Sequence, residues 1–141
     1  MPFNHNTKAG LYRPKEAGSM TDNSNVVINL TTGHEDAEKV TIALLIATAA
    51  LAAGKSVVMF LTKEAVRLAL PGYADAIEVA GSPPVSKLFE QFAQGAGELY
   101  VCPICFDARR LDGDALLANA KLAGATPLWE FIGDHATVFS Y

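Results

Sequence analysis

The chain has 141 residues, a length typical of one domain that buries its own hydrophobic core. Half of the residues are hydrophobic and only 18% are charged, so we expect part of the apolar surface to be covered by further copies of the chain. The formal net charge of -4 argues against a nucleic-acid-binding protein, which needs a basic face for phosphates.

Residues 1–24 predict a polar N-terminal tail. The tail lacks the apolar core of a secretion signal, so the sequence predicts a cytoplasmic protein in a reducing compartment. The longest apolar run, Ala43 to Ala53, has eleven residues. This is shorter than the ~20 residues that a membrane-spanning helix needs. The run therefore predicts no membrane segment, but a helix that is buried on more than one side.

From residue 25 onward, strand-like runs alternate with helical segments. The β-branched run NVVINL predicts a first strand over 25–30, followed by an apolar helix that ends near Gly54. The predicted elements that follow are a strand over 56–61, a short helix over 62–70, a minor strand over 76–79, a helix over 85–96, a strand over 98–102, a helix over 112–125 and a closing strand over 136–141. This alternation predicts an α/β fold, with helices on both faces of a parallel sheet.

In such sheets, functional groups gather at the carboxyl ends of the strands. Three loops are expected there, namely TTGHED at 31–36, TKEA at 62–65 and CPICFDARR at 102–110. The chain has two cysteines, Cys102 and Cys105, and both fall in the third loop. The pattern therefore places the cysteines at the edge of the sheet where sites form.

The CxxC spacing of the cysteines allows several kinds of chemistry. A zinc site needs two further ligands, and the three histidines, His5, His34 and His135, include no pair with zinc-finger spacing, so we expect no metal. A redox pair remains open, because a thiol at a helix N-terminus has a lowered pKa and Pro103 suits a first helical turn. No P-loop, GxGxxG or GxSxG motif occurs, so neither a nucleotide cofactor nor a serine nucleophile is predicted.

A single nucleophilic cysteine also remains open, and Cys102 is then favoured because it directly follows the strand. Arg109 and Arg110 lie one or two turns further on, where their charge favours a thiolate or holds an anion such as thiosulfate. In the alternative, Cys105 is a small buried residue and the arginines form surface ion pairs. The acids available for such pairs are Asp107, Asp112 and Asp114.

The loop after the first strand supplies further candidates. His34 is placed to act as a proton shuttle or to contact a bound anion, and a solvated loop histidine is the alternative. Thr32 and Gly33 offer a hydroxyl and backbone N–H groups at a helix start, which suits an anion.

Three segments carry a resemblance to a known protein family. They are INLTTGHEDAEKVTIALLIATAALAAGKSVVMFLTKEAV, the strand-end cysteine in LYVCPICFDARRLD, and KLAGATPLWEF. In this order they resemble the DsrE/DsrF-like (YchN-type) sulfur-relay family, so residues 25–141 are expected to form a DsrE/DsrF-like domain. The resemblance implies a three-layer α/β/α fold with a mainly parallel five-stranded sheet, assembled as a homo-oligomer, a trimer or a hexamer.

The resemblance also implies that Cys102 is the cysteine that carries a persulfide. We therefore expect a sulfur carrier or sulfurtransferase without a cofactor, whose partners are sulfur-donor and sulfur-acceptor proteins or small sulfane-sulfur compounds. Relay subunits of the family tend to have one cysteine in this loop, so Cys105 leaves open a thiol–disulfide or peroxiredoxin-like redox protein. A non-enzymatic oligomeric module that binds a small anion or metabolite is the third hypothesis, and whether the protein is an enzyme stays open.

Overall fold

The computed structural model describes residues 24–141, so the predicted tail up to residue 23, with His5, lies outside the described residues. The strands are β1 (Asn25–Leu30), β2 (Ser56–Leu61), β3 (Glu98–Val101), β4 (Ala120–Leu122) and β5 (Thr137–Ser140). The α-helices are α1 (Ala37–Ala52), α2 (Val85–Gln94), α3 (Pro103–Ala108) and α4 (Ala125–Ile132), and shorter 3₁₀ helices span His34–Asp36, Lys63–Ala69, Tyr73–Ala76 and Gly113–Ala115. None of the helices in this described range is long and apolar enough to cross a bilayer.

The five described strands form one sheet in the order β4-β3-β2-β1-β5, and every pairing in it is parallel. β1 and β2 pair along their whole length, from Asn25 opposite Ser56 to Leu30 opposite Leu61. Both strands are rich in β-branched and apolar residues, which suit a strand that is covered on both faces. The predicted α/β fold with a parallel five-stranded sheet is confirmed.

Helices cover both faces of the sheet, which gives three layers. On one face, α1 and α2 pack over the larger core, to which Ile28 and Met59 contribute fully buried side chains. On the other face, α4 packs Phe131 against Tyr100, with the ring centroids 6.3 Å apart. The three-layer α/β/α arrangement implied by the family resemblance is therefore confirmed.

α1 is buried along one face only. It begins where the carboxylate of Asp36 accepts a hydrogen bond from a backbone N–H three residues on, at 3.0 Å. Val40 and Leu44 lie four residues apart on the buried face. Ile42 and Leu45 are 42% and 40% exposed. Burial on more than one side was therefore a wrong prediction for the single chain, because the opposite face of α1 points away from the sheet and from α2.

The predicted helix over residues 112–125 was wrong. A 3₁₀ turn at Gly113–Ala115 is followed by β4, which pairs with β3 from Leu99 opposite Ala120 onward. The segment is rich in Ala and Leu, and this composition favours a helix locally. The free edge of β3 supplies backbone hydrogen bonds to the same segment, such as that from the N–H of Ala123 to the carbonyl of Val101 at 3.0 Å. Tertiary pairing at this edge outweighs the local preference.

The predicted minor strand over residues 76–79 was also wrong. The chain forms a 3₁₀ helix at Tyr73–Ala76 and then an irregular segment in which Ile77 is buried. The preceding Gly72 has a φ of 87°, a left-handed conformation that glycine adopts without strain and that turns the chain here. The short helix predicted over residues 62–70 is present as the 3₁₀ helix Lys63–Ala69.

Candidate functional site

The loops that follow β1, β2 and β3 lie side by side at the carboxyl edge of the sheet. The N–H of Thr62 donates to the carbonyl of Leu30, and the N–H of Cys102 donates to the carbonyl of Leu61, both at 3.0 Å. These bonds continue the parallel ladders one residue beyond the strands. They therefore fix the three loops at the same height, as the sequence predicted.

Both cysteines are free and partly exposed. Pro103 begins α3, where its missing N–H costs nothing, and this makes Cys102 the residue that precedes the helix. Cys105 lies one turn further on in α3, and its thiol is near enough to affect the pKa of the Cys102 thiol. The structure thus holds both cysteines at the end of β3.

Partial burial raises the pKa of the Cys102 thiol above its ordinary value. The backbone N–H of Cys105 lowers this pKa, the neighbouring Cys105 thiol raises it, and the N–H of Ile104 lowers it to a smaller extent. Neither arginine contributes to the shift. An effect of Arg109 or Arg110 on the pKa of this thiol therefore stays a prediction from the sequence.

Arg109 is turned toward the loop that follows β2. Its Nε donates to Oε2 of Glu64 at 2.5 Å, and its Nη1 donates to the backbone carbonyl of Cys105 at 3.1 Å. Glu64 also accepts from Nε of Arg67 at 2.8 Å. None of the three aspartates considered from the sequence pairs with Arg109 in the described structure. Arg109 therefore joins the cysteine loop to the neighbouring loop through Glu64.

Arg110 occupies a different position from Arg109. Its side chain is exposed and its φ is 53°, a left-handed conformation that ends α3. Within residues 24–141, its side chain makes no hydrogen bond and no ion pair. The structure therefore separates the two arginines that the sequence grouped together.

The loop after β1 is held by Tyr73. The ring of His34 stacks on the ring of Tyr73, with centroids 3.7 Å apart and planes at 5°. The Nε2 atom of His34 lies 2.8 Å from the carbonyl oxygen of Tyr73, which can only accept, so this nitrogen carries a proton. The backbone N–H of His34 donates to the hydroxyl of Tyr73 at 2.9 Å.

Gly33 allows this close approach. A Cβ atom at position 33 would lie 2.4 Å from the hydroxyl oxygen of Tyr73 and 3.1 Å from the carbonyl oxygen of Glu64. The neighbouring hydroxyl of Thr32 is buried and has no hydrogen-bond partner in the described part of the chain. Gly33 therefore serves packing between the loops, and its N–H donates to Oε1 of Glu35 at 2.9 Å. Anion binding at this position stays a prediction.

An open cleft of about 620 Å³ separates the first two loops. Its walls are His34, Glu35, Glu64, Arg67 and Tyr73. Glu64 belongs both to this cleft and to the ion pair with Arg109. Glu64 thus contacts both the cleft and the cysteine loop.

Comparison with known families decides the identity of the domain. The model of the DsrE/DsrF-like family matches residues 24–141. The chain belongs to the DsrE/DsrF-like family. Proteins of this family are generally associated with sulfur relay. The resemblance found in the sequence is thereby confirmed.

A DsrE-like fold is also seen in solved structures. The chain is similar to the crystal structure of the YchN protein from E. coli, with a TM-score of 0.66 and 17% sequence identity over 84% of this chain and 99% of that chain. At this identity, the similarity is evidence for the fold alone. The comparison with curated proteins finds no match.

Three residues of this candidate site were missed by sequence reasoning, namely Glu64, Arg67 and Tyr73. The TKEA loop was placed at the correct edge, and the Glu64–Arg67 spacing of three residues is one at which an acid and a base pair along a helix. No signal in the sequence indicated Tyr73, because it follows a turn and reaches His34 across 39 residues. In the described range, no group of three or more His, Cys, Asp or Glu side chains is arranged to hold a metal ion.

Proposed function

We propose that the protein is a sulfur carrier or sulfurtransferase that holds sulfane sulfur as a persulfide on Cys102. The supporting observation is the position of this thiol: it is free, partly exposed and fixed at the carboxyl end of β3, in a chain of the DsrE/DsrF-like family. Parallel α/β sheets place their functional groups at this edge. Cys102 is the residue that the β3–β2 hydrogen bonds fix there.

In the proposed reaction, the Cys102 thiolate attacks the outer sulfur of a donor. A new S–S bond forms, the donor's own bond to that sulfur breaks, and the donor leaves with the electron pair, so the protein gains one sulfur atom without net oxidation. Burial favours the protonated form of the thiol, and the N–H groups of Cys105 and Ile104 favour the thiolate. Transfer to an acceptor thiol repeats the same exchange and restores Cys102.

Arg109 contributes by holding the loop. It connects the Cys105 carbonyl to Glu64, so α3 is tied to the 3₁₀ helix Lys63–Ala69. This role does not depend on lowering the pKa of Cys102. An unengaged nitrogen of the same guanidinium remains able to meet an anionic donor such as thiosulfate.

The test is loading of single-cysteine variants. The wild type, Cys102→Ser and Cys105→Ser are incubated with thiosulfate or an organic persulfide and analysed by intact mass spectrometry without reductant. We expect the wild type and Cys105→Ser to gain the mass of one sulfur atom and Cys102→Ser to gain none. Loading of Cys102→Ser at the wild-type level would overturn the assignment of the carrier cysteine.

A thiol–disulfide protein is the second candidate, and the position of Cys105 in the first turn of α3, directly after Cys102, favours it. In that case, the Cys105 thiolate attacks Sγ of Cys102 in the persulfide, the Cys102–Cys105 disulfide forms, and the outer sulfur leaves as hydrosulfide with the electron pair. The same experiment separates the candidates. A wild type that accumulates a disulfide without extra sulfur, while both variants are inactive, supports the redox protein.

Assembly into a homo-oligomer, a trimer or a hexamer, is part of the proposal. Its support is the exposed apolar surface of the single chain, on α1 at Ile42 and Leu45 and near the C-terminus at Trp129, which is 68% exposed. Sedimentation analysis tests it, and a monomer at micromolar concentration would contradict it. The proposed partners are cytoplasmic sulfur donors and acceptors, proteins or small sulfane-sulfur compounds.

A further inference from the structure

The cleft is lined by two oppositely charged side chains, Arg67 and Glu35, and each can form further hydrogen bonds. Arg67 engages Glu64 through Nε alone, and its side chain is 34% exposed. Within residues 24–141, its two terminal nitrogens have no hydrogen-bond partner. A guanidinium in this state offers two parallel N–H donors, the geometry that a carboxylate accepts.

Glu35 supplies the negative charge on the same cleft. One of its oxygens accepts from the N–H of Gly33 at 2.9 Å, which fixes the carboxylate at the rim. Among the described residues, Glu35 forms no ion pair, since the two ion pairs there both use Glu64. Its second oxygen is therefore available to a cationic group, such as an ammonium.

The stacked pair of His34 and Tyr73 lines the same cleft. It is rigid, because His34 is held by its ring nitrogen and by its backbone N–H. A cleft lined by a flat pair of rings, a carboxylate and a guanidinium suits a small zwitterion. Its carboxylate meets Arg67 and its ammonium meets Glu35.

The cleft is connected to the cysteine loop through the side chain of Glu64. Glu64 lines the cleft and bonds Arg109, and Arg109 bonds the carbonyl of Cys105. One ion pair, between Glu64 and Arg109, therefore connects the cleft to the loop that carries both cysteines.

We propose that this cleft binds the α-amino-acid end of a small organic persulfide, the cysteine-type persulfide, and delivers its outer sulfur to Cys102. The inference rests on the proposed function, since it names the donor of that reaction. The Cys102 thiolate attacks the outer sulfur, the S–S bond of the donor breaks, and the cysteine thiolate leaves with the electron pair and takes up a proton from water. Sulfur count and oxidation state balance without a further reactant.

Binding is measured first, by calorimetry on the full chain, with S-methyl-L-cysteine as an unreactive probe. Methylthiopropionate, which lacks the ammonium, and S-methylcysteamine, which lacks the carboxylate, are the matched probes. We expect each to bind about tenfold more weakly, the size of one lost charge-assisted hydrogen bond. Equal affinity for all three compounds would overturn the inference.

Variants locate the binding. Arg67→Gln and Glu35→Gln each remove one charge and are expected to weaken S-methyl-L-cysteine binding about tenfold. Glu38→Gln and Lys87→Gln, at exposed positions outside the cleft, are the controls and are expected to bind like the wild type. If the control variants lose as much affinity as the cleft variants, the site lies elsewhere and the inference fails.

Loading separates this inference from the proposed function. We expect the rate of persulfide formation on the wild type to be higher with cysteine persulfide than with mercaptopropionate persulfide. This preference is expected to vanish in Arg67→Gln and Glu35→Gln and to persist in the control variants Glu38→Gln and Lys87→Gln. Equal loading rates from every donor, with no effect of either variant, would contradict donor binding in the cleft but not the persulfide on Cys102. No loading from any donor would contradict both proposals.

Discussion

Arg109 forms its ion pair with Glu64, a residue 45 positions earlier, and not with a neighbouring aspartate. The contact joins α3 to the loop after β2, and the same guanidinium holds the carbonyl of Cys105. The position of the cysteine loop is therefore set by a residue of the adjacent strand's loop. This contact connects the cleft at Glu64 with the cysteine loop.

The ion pairs of Glu64 predict a pH dependence of stability. The hydrogen bond from Arg109, with that from Arg67, lowers the pKa of Glu64 below its ordinary value of 4.5. A carboxyl with a lowered folded pKa stabilises the fold above its unfolded pKa, and the contribution is lost as the pH falls through the folded value. We expect Glu64→Gln to lower the free energy of unfolding at neutral pH but not in acid below the folded pKa. Urea titrations at several pH values measure this, with Glu38→Gln as the control. A deficit that is the same at every pH would contradict it.

The burial of Cys102 predicts slow alkylation at neutral pH. Its thiol pKa is raised in the fold, mainly by burial, so the thiolate forms at higher pH than in the unfolded chain. Iodoacetamide labelling of Cys105→Ser against pH, native and in urea, measures the midpoint. We expect the native midpoint to lie on the alkaline side of the unfolded one, and Arg109→Gln to leave it unchanged. A native midpoint on the acidic side would show that an activating charge outweighs burial.

The same shift has a consequence for stability. Because the folded pKa of Cys102 is the higher one, this group's contribution to stability is present below the unfolded pKa and is lost as the pH rises through the folded value. Cys102→Ser is expected to lose less stability on alkaline titration than the wild type. A wild type and variant with identical alkaline profiles would exclude this contribution.

Phe106 anchors the cysteine loop to the core. It is 1% exposed and lies in α3 between the cysteines and Arg109, whereas Ile104 of the same helix is 80% exposed. We expect Phe106→Ala to reduce the free energy of unfolding by about 3 to 5 kcal/mol. Ile104→Ala is the matched control and is expected to change it by less than about 0.5 kcal/mol. Similar losses in the two variants would show that α3 is not anchored through Phe106.

The close packing around Gly33 predicts that a larger side chain at this position disturbs the cleft. A Cβ there meets the Tyr73 hydroxyl, so Gly33→Ala forces Tyr73 or the loop to move, at a cost of about 1 to 3 kcal/mol. We expect the His34–Tyr73 stack to be lost, seen as a changed His34 ring resonance in NMR spectra. Gly113→Ala, where the nearest atom is 4.0 Å away, is the control. An unchanged His34 resonance in Gly33→Ala would contradict the contact.

The sequence predicted the parts of the structure that local patterns determine. The β-branched runs of β1 and β2 are buried on both faces, so their composition alone indicates a parallel strand. The carboxyl edge of the sheet follows from strand direction, and this was sufficient to bring Cys102, Cys105 and the loop of His34 to one region.

The parts that failed depend on partners distant in the sequence. β4 is a strand because β3 offers it an edge, and its Ala- and Leu-rich sequence does not show this. Arg109 had several acids within reach along the chain, and its actual partner lies on another loop. The pKa of Cys102 is raised mainly by burial. The sequence did not indicate this, because the arginines nearby suggested a lowered pKa.

The most direct measurement of the central claim is the position of the sulfur on the wild-type chain. The protein is loaded from a donor labelled in its outer sulfur, alkylated and digested with trypsin. Both cysteines fall in one peptide that ends at Arg109, so tandem fragmentation must assign the label between them. We predict the labelled sulfur on Cys102, with Cys105 alkylated as an ordinary thiol. Label on Cys105 alone, or a Cys102–Cys105 disulfide without label, would contradict the account.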